Sequence, residues 1–177
     1  MKLAWRSLAI IATGLAISGP CAAQTSLVPK GMLADRKALS AMDYIEIQQL
    51  YARYAAALDF GDGAARATTF TVDGTFYNLA SHHKPEPVAD VVKRTTAHGN
   101  VGDRHMISHL IITPTKTGAN GFAYILKVDR NQKVFTGFYN DTLVRTPDGW
   151  RFKTKEEWHD TEPDSPYRAT AEDKPKK

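Results

Sequence analysis

The sequence predicts an α+β domain: a curved, mostly antiparallel sheet wrapped around N-terminal helices, forming a cone-shaped barrel with a pocket inside. Three observations carry this. Apolar residues recur at helical spacing up to about residue 99, the repeat changes to strict alternation after Gly102, and "TPDGW" supplies a hairpin turn between the last two alternating runs. Helices gathered first and strands afterwards favour segregated layers over repeated βαβ units.

The first element is a helix opening near Asp43, a residue type suited to N-capping. In "YIEIQQLYARYAAAL", Ile47, Leu50, Tyr51, Tyr54 and Leu58 fall at i, i+3, i+4, i+7 and i+11, which gives one apolar face. "DFGDG" ends it, a short second helix is expected over 62–70, and "VDGTFYNL" reads as a turn entering a strand. "EPVADVVKRTTAHG" predicts a third helix, opened by Pro87 and closed by Gly99. Strands follow near 104–113, 121–129, 133–145 and 150–159. Along the last of these, alternation puts Trp150, Phe152, Thr154, Glu156 and Trp158 on one face and Arg151, Lys153, Lys155 and Glu157 on the other.

This domain is expected over residues 41–160, with an arm over 24–40 before it and a Pro-rich, charged, disordered tail over 161–177 after it. Residues 1–23 read as a cleavable signal peptide: Lys2 and Arg6 form the basic start, "SLAIIATGLAISG" the apolar middle and "CAA" the small-residue end. The apolar run is too short to span a bilayer comfortably, so the mature chain is expected to be periplasmic or secreted and off the membrane. Cys21, the only cysteine, leaves with the signal, which excludes a thiol nucleophile, a disulfide and a thiolate metal ligand. Of 23 basic and 19 acidic side chains, removal of Lys2 and Arg6 leaves 21 against 19, a net charge of +2. With that balance and no basic stripe interleaved with aromatics, nucleic acid is not an expected partner.

"RHMISHLIIT" raises the main chemical question, because imidazoles in a strand core need hydrogen-bonding partners. Alternation sends His105, Ile107, His109 and Ile111 to one face, with Ser108 facing away from His109. The two histidine Cα atoms then lie about 13 Å apart, too far to share a metal, so no metal site is expected. Asp59 closes the first helix, where the macrodipole disfavours a carboxylate by about 0.3–1 kcal/mol, and an imidazole nearby would offset this. Tyr51 and Tyr54 flank a stripe of Ala52, Ala55 and Ala56 below Asp59, so phenol, carboxylate and imidazole can converge on one cavity. The plainer readings stand beside these: a strand histidine is more often a satisfied core residue, Asp59 can simply shape a turn, and helical tyrosines usually pack. His82, His83, His98 and His159 read as loop or edge residues, and Arg104, His105 and Asn140 as structural or surface ones.

"IQQLYARYAAALDFGD", "FTVDGTFY", "RHMISHLIIT" and "FYNDTLVRTPDGWRFK", in this order over about residues 40–160, resemble the SnoaL-like branch of the nuclear transport factor 2-like superfamily. The resemblance implies a cone-shaped α+β barrel, often dimeric or trimeric. Relatives include scytalone dehydratase, hexachlorocyclohexane dehydrochlorinase and bile acid 7α-dehydratase, which eliminate without a cofactor through an Asp and a His. It implies Asp59 and His109 as that pair, Tyr54 as the tyrosine five residues before the aspartate, and Asn140 as a substrate-site asparagine.

The function expected is therefore a cofactor-independent lyase acting on a small aromatic or alicyclic hydroxylated compound. Asp59 would fix the His109 tautomer, the other ring nitrogen would remove a substrate proton, and Tyr54 would hydrogen-bond the developing oxyanion. Tyr51, His105, Ile107, Phe122, Phe138 and Asn140 would contact the substrate. The same dyad would serve an isomerase or cyclase, and a non-catalytic exported binding domain would keep Asp59 and His109 only as mutual partners.

Overall fold

The computed structural model describes residues 38–78, 82–99 and 101–162. The expected signal peptide, nearly all of the arm and the tail from residue 163 lie outside the described residues. Three helices and six strands follow one another as α1 (Ala41–Asp59), α2 (Gly63–Ala67), β1 (Phe70–Tyr77), β2 (Glu86–Pro87), α3 (Val88–His98), β3 (Arg104–Pro114), β4 (Gly118–Val128), β5 (Val134–Thr146) and β6 (Gly149–His159).

Ser40, not Asp43, caps α1. The Asp43 N–H donates to Ser40 Oγ at 3.2 Å, and Asp43, at the third helical position, accepts from the Ser40 N–H at 2.9 Å, which makes a capping box. The Asp43 carboxylate also accepts from Trp150 Nε1 at 2.9 Å and from Arg145, so the start of the helix is tied to the β5–β6 hairpin. The Trp150 and Ser40 bonds hold its pKa down to about 2. Ile47, Leu50, Tyr51, Tyr54 and Leu58 are buried, as their spacing predicts.

The strands form one mixed sheet in the order β2-β1-β6-β5-β4-β3, antiparallel except where β1 runs parallel to β6. It is unclosed, with β2 and β3 as its two edges. Its inner face packs under α1 through Ala119, Ala123, Tyr139, Leu143 and Phe152.

The pairing of β1 with β6 is irregular between Phe70 and Thr75, and strict alternation also fails in β6 and in β3. In β6, Phe152 pairs with Leu143 but Thr154 pairs with Thr142, so Lys153 is an extra residue and the strand turns over beyond it. Phe152 and Lys155 are both fully buried, and Lys155 and Glu157 face inward, against the expected pattern. In β3, Ser108 opposes Tyr124 and Ile111 opposes Phe122, so His109 and Leu110 share one position opposite Ala123. His109 takes φ +53°, the left-handed conformation of a bulge.

Lys155 crosses the middle of the core. Its ammonium donates to Asp141 Oδ2 at 2.8 Å, both side chains being fully buried, and lies 3.4 Å from the Tyr139 ring centroid and 4.3–4.6 Å from those of Phe152, Tyr54 and Tyr51. Burial lowers the Lys155 pKa to about 8 and raises that of Asp141, each opposed by the charge of the other. Gly121 faces the same region, and a Cβ there would collide with the Tyr51 hydroxyl.

Asp141→Ala leaves the ammonium buried and unpaired, and is expected to destabilise the fold by about 3–5 kcal/mol in urea unfolding. The double variant Lys155→Met/Asp141→Leu, which removes both charges, is expected to be more stable than Asp141→Ala.

Candidate active site

The C-terminal end of α1, the short α2, α3 and the inner ends of β1, β3, β4 and β6 surround a cavity of about 400 Å³. α1 contributes Leu58, α2 Arg66 and β1 Phe76; α3 contributes Arg94, Thr95 and His98; the three later strands contribute His105, Lys127, Glu157 and His159. Two of these histidines are held by carboxylates.

The first pair joins a helix end to a strand start. Asp59 is the last residue of α1, and β3 begins beside it. Asp59 Oδ2 accepts the His105 backbone N–H at 3.1 Å, and Oδ1 lies 2.5 Å from His105 Nδ1. Both side chains are nearly inaccessible. These donors supply the compensation that a carboxylate needs at the negative end of a helix. This bond assigns Nδ1–H to the carboxylate, which leaves Nε2 as the ring nitrogen open to another partner.

The histidine expected to pair with Asp59 was His109, and this is corrected. His109 is exposed, its Nδ1 lies 3.1 Å from Ser108 Oγ, and its ring packs 5.4 Å from Tyr124 on the outer face of the sheet. The bulge also brings Ser108 beside it, contrary to simple alternation, but both are exposed and neither lines the cavity.

Tyr54 is likewise not at the cavity wall. It is fully buried, its hydroxyl accepts from Arg66 Nη2 at 2.7 Å, and burial drives its pKa strongly upward, so the phenol stays protonated. Tyr51 belongs to the core beside Lys155, and Ile107 packs against that core without reaching the cavity. Phe122 stacks on Phe138, with centroids 5.8 Å apart, and these two and Asn140 occupy the outer face, because they share a register with exposed Tyr124 and alternate with inward Ala123 and Tyr139. Among the expected substrate contacts, only His105 lines the cavity.

The second pair escaped the sequence reading. Glu157 Oε1 lies 2.9 Å from His159 Nε2 across one intervening residue of β6. Burial works to raise the Glu157 pKa, but the His159 hydrogen bond and the charges of His159, His105 and Arg66 outweigh it, and the carboxyl sits below its ordinary value. The bond to Glu157 raises the His159 pKa above 6.5 against the opposing effect of burial. The signal was present in "EWH": residues two apart on a strand share a face. Beyond β6, Glu162 is buried, although the tail was expected to start at Thr161. It accepts the His159 N–H at 2.7 Å and lies 2.6 Å from His83 Nε2, while the His83 ring stacks on Trp158 with centroids 3.6 Å apart.

Arg66 donates to Thr95 Oγ1 and to the Tyr54 hydroxyl, each at 2.7 Å, and is 3% exposed. Arg94 is paired with Glu86, and Lys127 Nζ is 3.9 Å from Asp103. Among the described residues no group of three His, Cys, Asp or Glu side chains is placed to hold a metal ion.

A family model described as a SnoaL-like domain matches residues 40–156. Among solved structures, a protein of unknown function with a cystatin-like fold from Nostoc punctiforme aligns with TM-score 0.62 at 23% identity, over 73% of this chain and 98% of that one. A protein provisionally named a scytalone dehydratase from Novosphingobium aromaticivorans aligns with TM-score 0.56 at 20% identity, over 67% and 84%. One provisionally named an aromatic ring hydroxylase, from the same species, aligns with TM-score 0.58 at 23% identity, over 69% and 92%. No protein with a curated description matches the chain.

Histidine NMR titration tests the second pair. His159 is expected to titrate above 6.5, and Glu157→Gln, which removes the carboxylate that favours the charged ring, is expected to move its pKa downward.

Proposed function

The chain belongs to the SnoaL-like domain family, and from that premise we propose that it is a lyase that dehydrates a small hydroxylated aromatic or alicyclic compound. The observation carrying this reading is the grip of Asp59 on both the ring and the backbone of His105 at the cavity. A carboxylate on Nδ1 fixes the tautomer and orientation of the ring and leaves Nε2 as the nitrogen to take a substrate proton.

Elimination needs an acid as well as a base, and the second pair supplies one. His159 keeps its proton to higher pH than an ordinary histidine, which suits it to protonate a departing hydroxyl. His105 removes a proton from a substrate carbon, the C–H electron pair forms the new C=C bond, and the adjacent C–O bond breaks as His159 delivers its proton, releasing water. Leu58 and Phe76 offer the apolar wall for the ring of the substrate. The provisional name of the Novosphingobium scytalone dehydratase neighbour supports the same class of reaction.

A screen of hydroxylated aromatic and alicyclic compounds, scored by mass loss of one water, tests this directly. On a compound that is turned over, His105→Gln and Asp59→Asn are each expected to lower kcat by about 10²–10⁴ with unchanged circular dichroism, and His109→Ala to leave it unchanged. Full turnover by folded His105→Gln would overturn the assignment. The high-pH limb of the rate profile is expected to move to lower pH in Glu157→Gln, because loss of the carboxylate lowers the pKa of the acid.

A further inference from the structure

Of the cavity's carboxylate, lysine and arginine side chains, all but one have an oppositely charged partner. Glu157 is held by His159, Arg94 by Glu86, Lys127 faces Asp103, and His105 is held by Asp59. Arg66 is the exception. Both of its hydrogen-bond partners, Thr95 Oγ1 and the Tyr54 hydroxyl, are neutral, and among the described residues no carboxylate forms a salt bridge with its guanidinium. Its Nε has no hydrogen-bond partner at all, although it is buried.

A buried guanidinium with no directly bonded carboxylate is unfavourable in an apolar setting, Glu157 acting on it only through space while bonded to His159, and an unsatisfied N–H adds to the penalty. Local packing holds it there all the same. The Tyr54 and Phe76 rings lie 4.9 and 5.1 Å from its central carbon and keep the planar group in place. Thr95 in turn bonds to the Val91 carbonyl at 2.8 Å, so the hydroxyl on Nη1 is fixed as well. The result is a positive group held at the wall of a cavity, with one buried N–H unpaired.

We propose that Arg66 is the anion-binding residue of this cavity and that the substrate carries a carboxylate. A carboxylate accepts well-directed N–H bonds from a guanidinium and supplies the directly bonded anion that Thr95 and Tyr54 do not. Lys127 and His98 on the same wall add to the positive character of the approach. This inference names the substrate class of the lyase reading and rests on the same cavity. The ligand is then a small ring compound with a carboxylate at the Arg66 end and its reacting carbons at the His105 end.

Equilibrium binding of benzoate, with benzamide as its neutral counterpart, tests this on the intact chain. Benzoate is expected to bind at least about tenfold more tightly than benzamide, and folded Arg66→Met is expected to lose that preference. Should Arg66→Met not fold, the Arg66 Nε–H resonance, assigned by its disappearance in Arg66→Lys, is expected to shift on benzoate addition and not on benzamide addition. Equal affinity for the two ligands, a preference that survives in folded Arg66→Met, or an Nε–H signal that does not respond to benzoate would overturn the proposal. A chain that prefers benzoate yet eliminates water from nothing would refute the lyase alone, and a dehydratase of neutral alcohols with no benzoate preference would refute the anion site alone.

Discussion

Insertion of Lys153 into β6 turns the second half of that strand over, and the polar interior of the protein depends on this one residue. Without it, Lys155, Glu157 and His159 would point to the outer face and Thr154, Glu156 and Trp158 to the inner one. With it, the same strand gives Phe152 and Lys155 to the core and Glu157 and His159 to the cavity. A bulge thereby lets one strand serve an apolar and a charged environment in succession.

Most charges of this interior are arranged in pairs, which offsets the cost of burying them. Lys155 answers Asp141, His105 answers Asp59 and His159 answers Glu157, each within hydrogen-bond distance. The pairs differ in their surroundings. Lys155 and Asp141 are sealed among aromatic rings and hold β5 to β6 beneath α1, whereas the histidines of the other two pairs line the cavity. Arg66, at the same wall, stacks against Tyr54 and Phe76, so the ring expected to touch substrate acts one layer back, by positioning a cation.

The helices were legible because their determinant is local. The spacing of Ile47, Leu50, Tyr51, Tyr54 and Leu58 specifies the buried face of α1 whatever surrounds it. The strand positions were legible too, but not which way their side chains point beyond a bulge. Alternation carries a single error through every later residue, which is why His109 was placed on the same face as His105 and Glu157 with the outer residues; the choice of His109 as the partner of Asp59 came from the family resemblance. Neither bulge contains a glycine to mark it; His109 itself takes the left-handed backbone. Asp59 was identifiable for a different reason: a carboxylate at a helix C-terminus requires a donor, and that requirement holds without knowledge of the sheet. Arg66 lies in a five-residue helix with no periodicity to read, and its burial is decided by α3 and the rings around it.

The bulge in β3 has an effect on the outside of the molecule as well. β3 is an edge of the described sheet, and an edge strand offers unpaired amides and carbonyls to any extended chain that meets it. Its inner neighbours are strongly apolar, and Met106 and Ile111 are exposed on either side of the bulge. A left-handed residue in the middle of that edge breaks the row of amides into two short segments that do not lie in one register. A second strand could dock on one segment but not run on through the other, so the displacement that moves an imidazole out of the cavity also guards the protein against growth by strand addition.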